Sequence, residues 1–430
     1  MANAGQTKTT LDGLMKDVYS NEKLESLTPS FAILKKEIAF ANAEKIGRDF
    51  VKAISLTREH GFSYGESLTT ALEGIISSNV DDAKVRGAQM TLRAGWTYAA
   101  AHAMAEKQAA FIDMTSHKFS CMMESMSFRL EAQMIHGSKG FLVTDTEQDS
   151  VAAVSNTKYA IIPINPLYWA DALAVGLENA NISLIAASDN STANSRQGPG
   201  GTANKFSVTS VDLAAKTITV ECADGTNATN LVSDIESTAY NVYFFGSNSN
   251  EMVGLRSIVA NTGTLYGING SLYSAFVGNS YAAGSANLTL KKVLQGVGRA
   301  VGRGLSEEAL VLVNPQTFAT MANDEAALRQ YTAKTTVGDR GVSKIEYVGS
   351  NGPISVVSHP LIWESQAIAF PAKRAKRIGS TDLTFGRPGS DEMLFDMQSY
   401  GAIEARLFTD QSIFLPAPGH SVIFTGISNS

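Results

Sequence analysis

Apolar side chains recur at three-, four- and seven-residue steps from Phe111 through Phe119, Met122, Met126 and Leu130 to Met134, with Met104 further up the chain. Such steps place side chains on one face of a helix. The pattern predicts one nearly unbroken helix over residues 100–136. At 1.5 Å per residue it would be about 50 Å long. A strut of that length needs neighbours along it, and Gly137 supplies its stop.

Ahead of the helix the period changes to two. Residues 48–57 set Phe50, Ile54 and Leu56 on one face beside Lys52. Residues 89–98 set Met90, Leu92, Ala94, Trp96 and Tyr98 against Gln89, Thr91, Arg93, Gly95 and Thr97. Alternation of this kind predicts half-buried strands. Between them lies a segment rich in Gly and Ser, with a short helical patch at Leu68, Leu72, Ile75 and Ile76. The two strands and the excursion read as a long β-loop with one apolar face and nothing local to cover it. Residues 1–46 are polar, with a weak helical pattern at Leu11, Leu14 and Val18 and a break at Thr28-Pro29. They read as an arm.

Beyond the helix, residues 151–164 are strand-like and close at Pro163 and Pro166. Residues 179–284 are rich in Asn, Ser, Thr and Gly. Phe206 and Val208 there answer Ile218, Val220 and Cys222 across a turn at 212–216, and Tyr240, Val242 and Phe244 form another strand. Short strands at this spacing predict a small inserted barrel or sandwich, with Pro199-Gly200-Gly201 as an exposed loop. Residues 288–302 return to helical spacing, with Leu290, Val293, Leu294, Val297 and Val301 on one face. A buried strand at 309–313 runs into Asn314-Pro315, a cap followed by a first-turn proline. The helix so begun carries Phe318, Met321 and Leu328 and is expected to end near Tyr331. Strands are predicted at 344–348, 354–357 and 365–370. Residues 394–408, 412–415 and 421–425 read as extended, with turns at Pro416 and Pro418. There are no internal repeats.

Composition narrows the class. A chain of 430 residues can form two or three domains or one elaborated fold. Charged residues are 18 %, below the usual share of about a quarter, which suits a surface partly buried against partners. With 35 basic and 41 acidic residues the net charge is −6, which excludes a chain built as a whole to grip polyanions. Cys121 and Cys222 are no disulfide framework, and Cys121, on the long helix, is expected as a small buried hydrophobe. The first residues have no apolar signal core and no apolar run approaches membrane-spanning length. The expectation is a soluble protein made in a reducing cytoplasm.

The strings with catalytic appearance are weak. Gly61-Phe62-Ser63-Tyr64-Gly65 matches the hydrolase elbow G-x-S-x-G, which needs a strand running straight into the serine. Four residues, Thr57 to His60, stand between instead, and two glycines at a loop tip is the favoured reading. Gly296, Gly298 and Gly302 lie within an amphipathic helix, where close packing explains them better than a dinucleotide loop. His60, His102, His117, His136, His359 and His420 are scattered, so no metal site is expected. Asp81-Asp82 reads as a solvated pair on a loop. Lys373, Arg374, Lys376 and Arg377 read as a strand-end cluster paired with acidic neighbours, with nucleic-acid contact as the alternative. Lys52, Arg58, Lys84, Arg86 and Arg93 decorate the β-loop and are expected to set register between subunits. The methionines of the long helix read as adaptable core filler. No catalytic, cofactor-binding or metal-binding residue is nominated.

The order of these pieces carries a resemblance. Arm, long β-loop, long helix, strand pair, mixed α/β body and extended C-terminal strands resemble the major capsid proteins of tailed bacteriophages, with the Hong Kong 97-type fold. The step Leu310-Val311-Leu312-Val313-Asn314-Pro315-Gln316-Thr317-Phe318 is similar to a turn of their axial domains, and residues 400–415 are similar to their late peripheral strands. The resemblance implies an α+β fold with an N-terminal arm (1–47), an E-loop (48–99), a spine helix with peripheral strands (100–178), an inserted β-rich module (179–284), an axial domain (285–390) and C-terminal peripheral strands (391–430). It further implies a non-enzymatic shell protein of the virion, assembled in the host bacterial cytoplasm. That protein forms pentamers and hexamers around double-stranded DNA, without specific binding to the DNA and without a membrane or cofactor. Scaffolding, portal and cement proteins are candidate further partners. The alternatives are an encapsulin-like nanocompartment and a serine hydrolase using Ser63.

Overall fold

The computed structural model describes residues 32–41, 48–65, 74–99, 108–146, 152–153, 157–187, 196–323, 336–337, 343–350, 352–385, 393–397 and 401–429. Along the chain, a short helix at Ile33–Glu37 precedes β1 (Phe50–Ser55), β2 (Val80–Val85) and β3 (Ala88–Thr97). The helix Gln108–His136 follows, then β4 (Leu142–Val143), β5 (Ala152–Ala153), β6 (Tyr159–Pro163), β7 (Asn181–Ala186), β8 (Phe206–Asp212) and β9 (Thr217–Glu221). The helix Gly225–Ser237 leads to β10 (Tyr240–Phe244), and small pieces β11 (Thr264–Leu265) and β12 (Ile268–Asn269) lead to β13 (Asn279–Ala286). Next come the helix Leu290–Gly302, β14 (Ala309–Val313) and the helix Pro315–Ala322. The rest is strand: β15 (Thr336–Val337), β16 (Ser343–Gly349), β17 (Gly352–Ser358), β18 (Ala367–Phe370), β19 (Lys376–Phe385), β20 (Leu394–Asp396), β21 (Ala402–Phe414) and β22 (Val422–Ile427). The chain forms two compact units: residues 1–36, 88–252 and 380–411, and residues 37–87, 253–379 and 412–430.

In the first unit the 108–136 helix meets a sheet of its own chain. β3 pairs antiparallel with β21, so that Leu92, Ala94 and Trp96 stand opposite Leu407, Ala405 and Ile403. Side chains alternate across a strand, and this face packs against Phe119, Met122, Met123 and Met126. The methionine stripe is core filler, as its spacing predicts. From Leu130 to Gly137 the helix is buried all round, including Glu131, Gln133 and His136. Residues 100–107, with Met104, lie outside the described residues, as does the side chain of Phe111.

Two expectations are corrected. β1 does not share a β-loop with β3; its partner is β2, in the register Phe50 to Val85 through Ser55 to Val80. β2 reads Val-Asp-Asp-Ala-Lys-Val, so its run of exposed residues hides the alternation, and Asp81-Asp82 lie on a strand rather than a loop. Nor do residues 179–284 make a sheet of their own. β7 to β10 join β4, β5 and β6 in one seven-stranded sheet ordered β4-β10-β7-β8-β9-β6-β5, because β10 pairs with β4 and β9 with β6. The helix Gly225–Ser237 was unpredicted; its Asn, Thr and Ser are weak formers. Asp224 caps it on the amide of Asn227, and Ala228, Leu231, Val232 and Ile235 form its buried face. The predicted helical patch at Leu68 and Leu72, the end of the third helix near Tyr331 and residues 1–31 lie outside the described residues.

The second unit is built on a mixed sheet ordered β13-β22-β18-β14-β17-β16-β15. β14 is buried at every position and pairs parallel with β17 and antiparallel with β18. The 290–302 helix lays Leu290, Val293 and Val297 on the sheet, and a Cβ on Gly296 would stand 2.3 Å from the Phe424 ring. That glycine permits close approach. Asn314 caps the next helix by accepting from the amide of Gln316, as predicted, with Pro315 in the first turn.

Candidate functional site

The hydrolase-like string does not form its elbow. β1 ends at Ser55 and Gly61–Gly65 lie in an exposed loop, where the amide of His60 donates to the carbonyl of Ile76 at 3.1 Å. Phe62 and Tyr64, flanking Ser63, are 64 % and 86 % exposed. A serine nucleophile needs a strand-borne, backed position, and this loop does not supply one.

The basic run at 373–377 is spent on partners. Arg374 pairs with Glu307 at 2.8 Å and touches the His420 ring at 3.1 Å, Lys373 pairs with Glu308 at 3.4 Å, and buried Arg377 donates to the carbonyl of Ile38 at 2.7 Å. Burial and the Arg374 charge hold His420 below the usual imidazole range. Of the other histidines, His359 is fully buried and accepts from the amide of Leu361. No group of three or more metal-ligating side chains occurs among the described residues. Cys121 is half-buried rather than buried, and burial pushes the Cys222 thiol up to about 12. A small apolar cavity lined by Val297, Val301, Leu305 and Ile354 has room for roughly one water molecule.

Three other groupings stand out, and each concerns contact rather than catalysis. The first is the β1–β2 hairpin. Its base is held by an edge-on contact of Phe50 with Phe414 at 5.4 Å and by the amide of Lys84 donating to the carbonyl of Tyr266 at 2.8 Å. Away from that base Phe62, Tyr64, Ile75 and Val80 are exposed, Ile75 to 95 %. These four large apolar side chains stand in water in the single chain.

The second is a buried anchor on the long helix. Glu131 is fully buried and accepts the amides of Leu34 and Lys35, the latter at 3.2 Å, so it caps the short helix at 33–37. Two residues earlier, Arg129 lies over the Phe244 ring, which stacks on Phe141 at 4.2 Å. Burial lowers Arg129 to about 10, partly offset by Glu251, so it stays charged at neutral pH. Burial raises the Glu251 carboxyl.

The third lies on the outer face of the β3–β21 pair. Glu404 is 1 % exposed and holds two guanidinium groups, Arg93 through Nε at 3.0 Å and Arg406 through Nε at 2.6 Å. Burial works to raise the Glu404 carboxyl, but the two arginines prevail and hold it below the usual range. Sequence reasoning passed over this group because Arg93 and Glu404 are 311 positions apart. The available signal was Glu404 and Arg406 at strand spacing on one face.

No protein-family model matches the chain, and neither does any curated protein. Solved structures do. The chain is similar to that of the cyanophage A-1(L) capsid asymmetric unit, with 10 % identity over 98 % of each chain and a TM-score of 0.51. It also aligns with the capsid of Myoviridae phage XM1, at 8 % identity over 96 % of this chain and 97 % of that one, TM-score 0.46. The SrpI encapsulin of Synechococcus elongatus aligns over 41 % of this chain and 61 % of its own, at 13 % identity and TM-score 0.28. No helix among the described residues is long and apolar enough to cross a membrane. Aligned over 98 % of its length, the chain has the α+β fold of a phage capsid protein.

Proposed function

We propose that the protein is the major capsid subunit of a tailed bacteriophage, a non-enzymatic component of the virion. Copies assemble as pentamers and hexamers into an icosahedral shell around double-stranded DNA, which it encloses without specific recognition. The observation that carries this reading is the fold likeness over 98 % of the chain. The β1–β2 hairpin supports it independently, since its exposed Phe62, Tyr64 and Ile75 need a partner's surface to leave water. Within this reading, residues 1–47 are the arm, the β1–β2 hairpin takes the place of the expected 48–99 loop, and the 108–136 helix is the spine. Scaffolding, portal and cement proteins are further partners, and assembly takes place in the host cytoplasm.

The test is direct. The purified chain, examined by sedimentation and electron microscopy, should give closed, roughly spherical particles or ring-shaped capsomers. A monomer that persists at high concentration rejects the proposal. Particles filled with a co-expressed enzyme rather than DNA would move the protein to the nanocompartment class.

A further inference from the structure

We infer that Arg93 and Arg406 form a binding site for one carboxylate of a second copy of this chain. The inference rests on the proposed self-assembly and names one of its contacts.

A buried carboxylate needs compensation, and one arginine is enough to neutralise it. Glu404 has two, so the group carries a surplus positive charge. Both arginines use Nε and Nη2 on Glu404. Their Nη1 groups have no partner among the described residues, and the side chains remain 59 % and 47 % exposed. Arg93 and Arg406 stand directly opposite each other in the β3–β21 register, where two like charges would otherwise repel. Gly95 stands opposite Glu404 and adds no side chain over it. Arg406 is further fixed over the Phe395 ring at 5.2 Å. Two guanidinium groups are therefore held on one carboxylate, each half-exposed and with donors unspent. A planar, singly charged oxygen pair can accept from both and cancels the surplus charge.

A carboxylate suits the site better than the phosphates of a polymer. The same sheet also carries Asp382 and Asp410, which would repel a strand of repeating negative charge. The chain itself, at 41 acidic residues to 35 basic, is a ready source of single carboxylates. The matched charge would fix register between copies, a role that suits a contact held in place before its partner arrives.

The test uses the full chain with Arg93→Gln and Arg406→Gln, each leaving Glu404 one arginine. Arg93→Lys is the milder variant, keeping the charge and losing the fork. Thermal unfolding of unassembled subunits and the concentration at which particles form are measured without nucleic acid. The glutamine variants should unfold within about 4 °C of the parent, yet need at least roughly tenfold more protein to assemble, with Arg93→Lys between. Assembly of all three at the parent's concentration overturns the inference while leaving the proposed function standing. A defect that shows only when DNA is supplied also overturns it, and assigns the site to phosphate. If either glutamine variant fails to fold, an Arg93→Lys variant that folds and assembles like the parent overturns it as well. A parent chain that forms no particles rejects the proposed function, and this inference with it.

Discussion

β1 and β3 carry the same alternating signature, yet β3 lies in a sheet closed by a helix while β1 leads into loops whose large apolar side chains stay in water. β3 lies on β21, and its apolar face is closed by Phe119, Met122 and Met126 of the long helix, which leaves Trp96 only 2 % exposed. β1 has a single partner strand, and the loops that β1 and β2 carry expose Phe62, Tyr64 and Ile75. An isolated two-stranded ribbon is marginal in water, so the anchoring of Phe50 on Phe414 matters to it. Alternation reports that a face is to be buried. It does not report whether the cover comes from the same chain or from another. β3 shows cover supplied by its own chain, and the loops of β1 and β2 show large apolar side chains left exposed.

The sharpest way to break this comparison is to hollow the covered side. Trp96→Ala should cost about 3–5 kcal/mol of subunit stability, the usual range for truncating a buried aromatic. Urea unfolding of the unassembled chain measures it, and a loss below about 1 kcal/mol would show that the helix does not close over β3. Next in size is Glu131→Ala, which strips the acceptor from two amides at the start of the 33–37 helix. About 2–3 kcal/mol should go with it, and proteolysis near residue 33 should quicken, since a buried donor left unpaired carries its full desolvation cost. On the uncovered side, Ile75→Ser and Tyr64→Ser should change stability by no more than about 0.5 kcal/mol. Their effect should fall on particle formation, read by light scattering, and variants that assemble normally would remove the hairpin from the set of contacts.

Much of the fold was legible because its elements bury one clean face. β14 and its Asn314-Pro315 step, the 290–302 helix and the β8–β9 hairpin all sit where periodicity and caps place them. What misled was pairing. β3 finds β21 some 300 positions later, and nothing local distinguishes that partner from the nearer β1. β2 stayed hidden because its Asp81, Asp82 and Lys84 are exposed, so no apolar alternation marks it. The helix at Gly225–Ser237 was hidden by residues that favour turns, and only its cap and four buried positions declare it. The contact groups were harder still. A glutamate in a methionine-rich helix gives no hint that it will cap a segment 97 positions earlier. Arg93 and Arg406 read as ordinary charges on polar faces until the register sets them side by side.

Acid separates the two regions by the smallest effect. Glu404, on the covered sheet, is subject first to burial, which raises its pKa, but the hydrogen bonds and charges of Arg93 and Arg406 leave it lowered. A carboxyl whose folded pKa lies below its unfolded value binds fewer protons folded than unfolded across the interval between them. Its stabilisation is therefore complete above the unfolded value, near 4.5, and is lost as pH falls through the folded one. Glu59, in the loop after β1, is lowered as well, by hydrogen bonds from Ser78, but it is fully exposed. Solvent screens an exposed group, so its share should be close to nothing. Unfolding measured from pH 6 down to about pH 3 should then lose slope in Glu404→Gln, beyond any uniform drop, and keep it in Glu59→Gln. If both variants titrate like the parent, the Glu404 carboxyl is not held below its unfolded value, and the outer face of the β3–β21 sheet is no more organised than the hairpin.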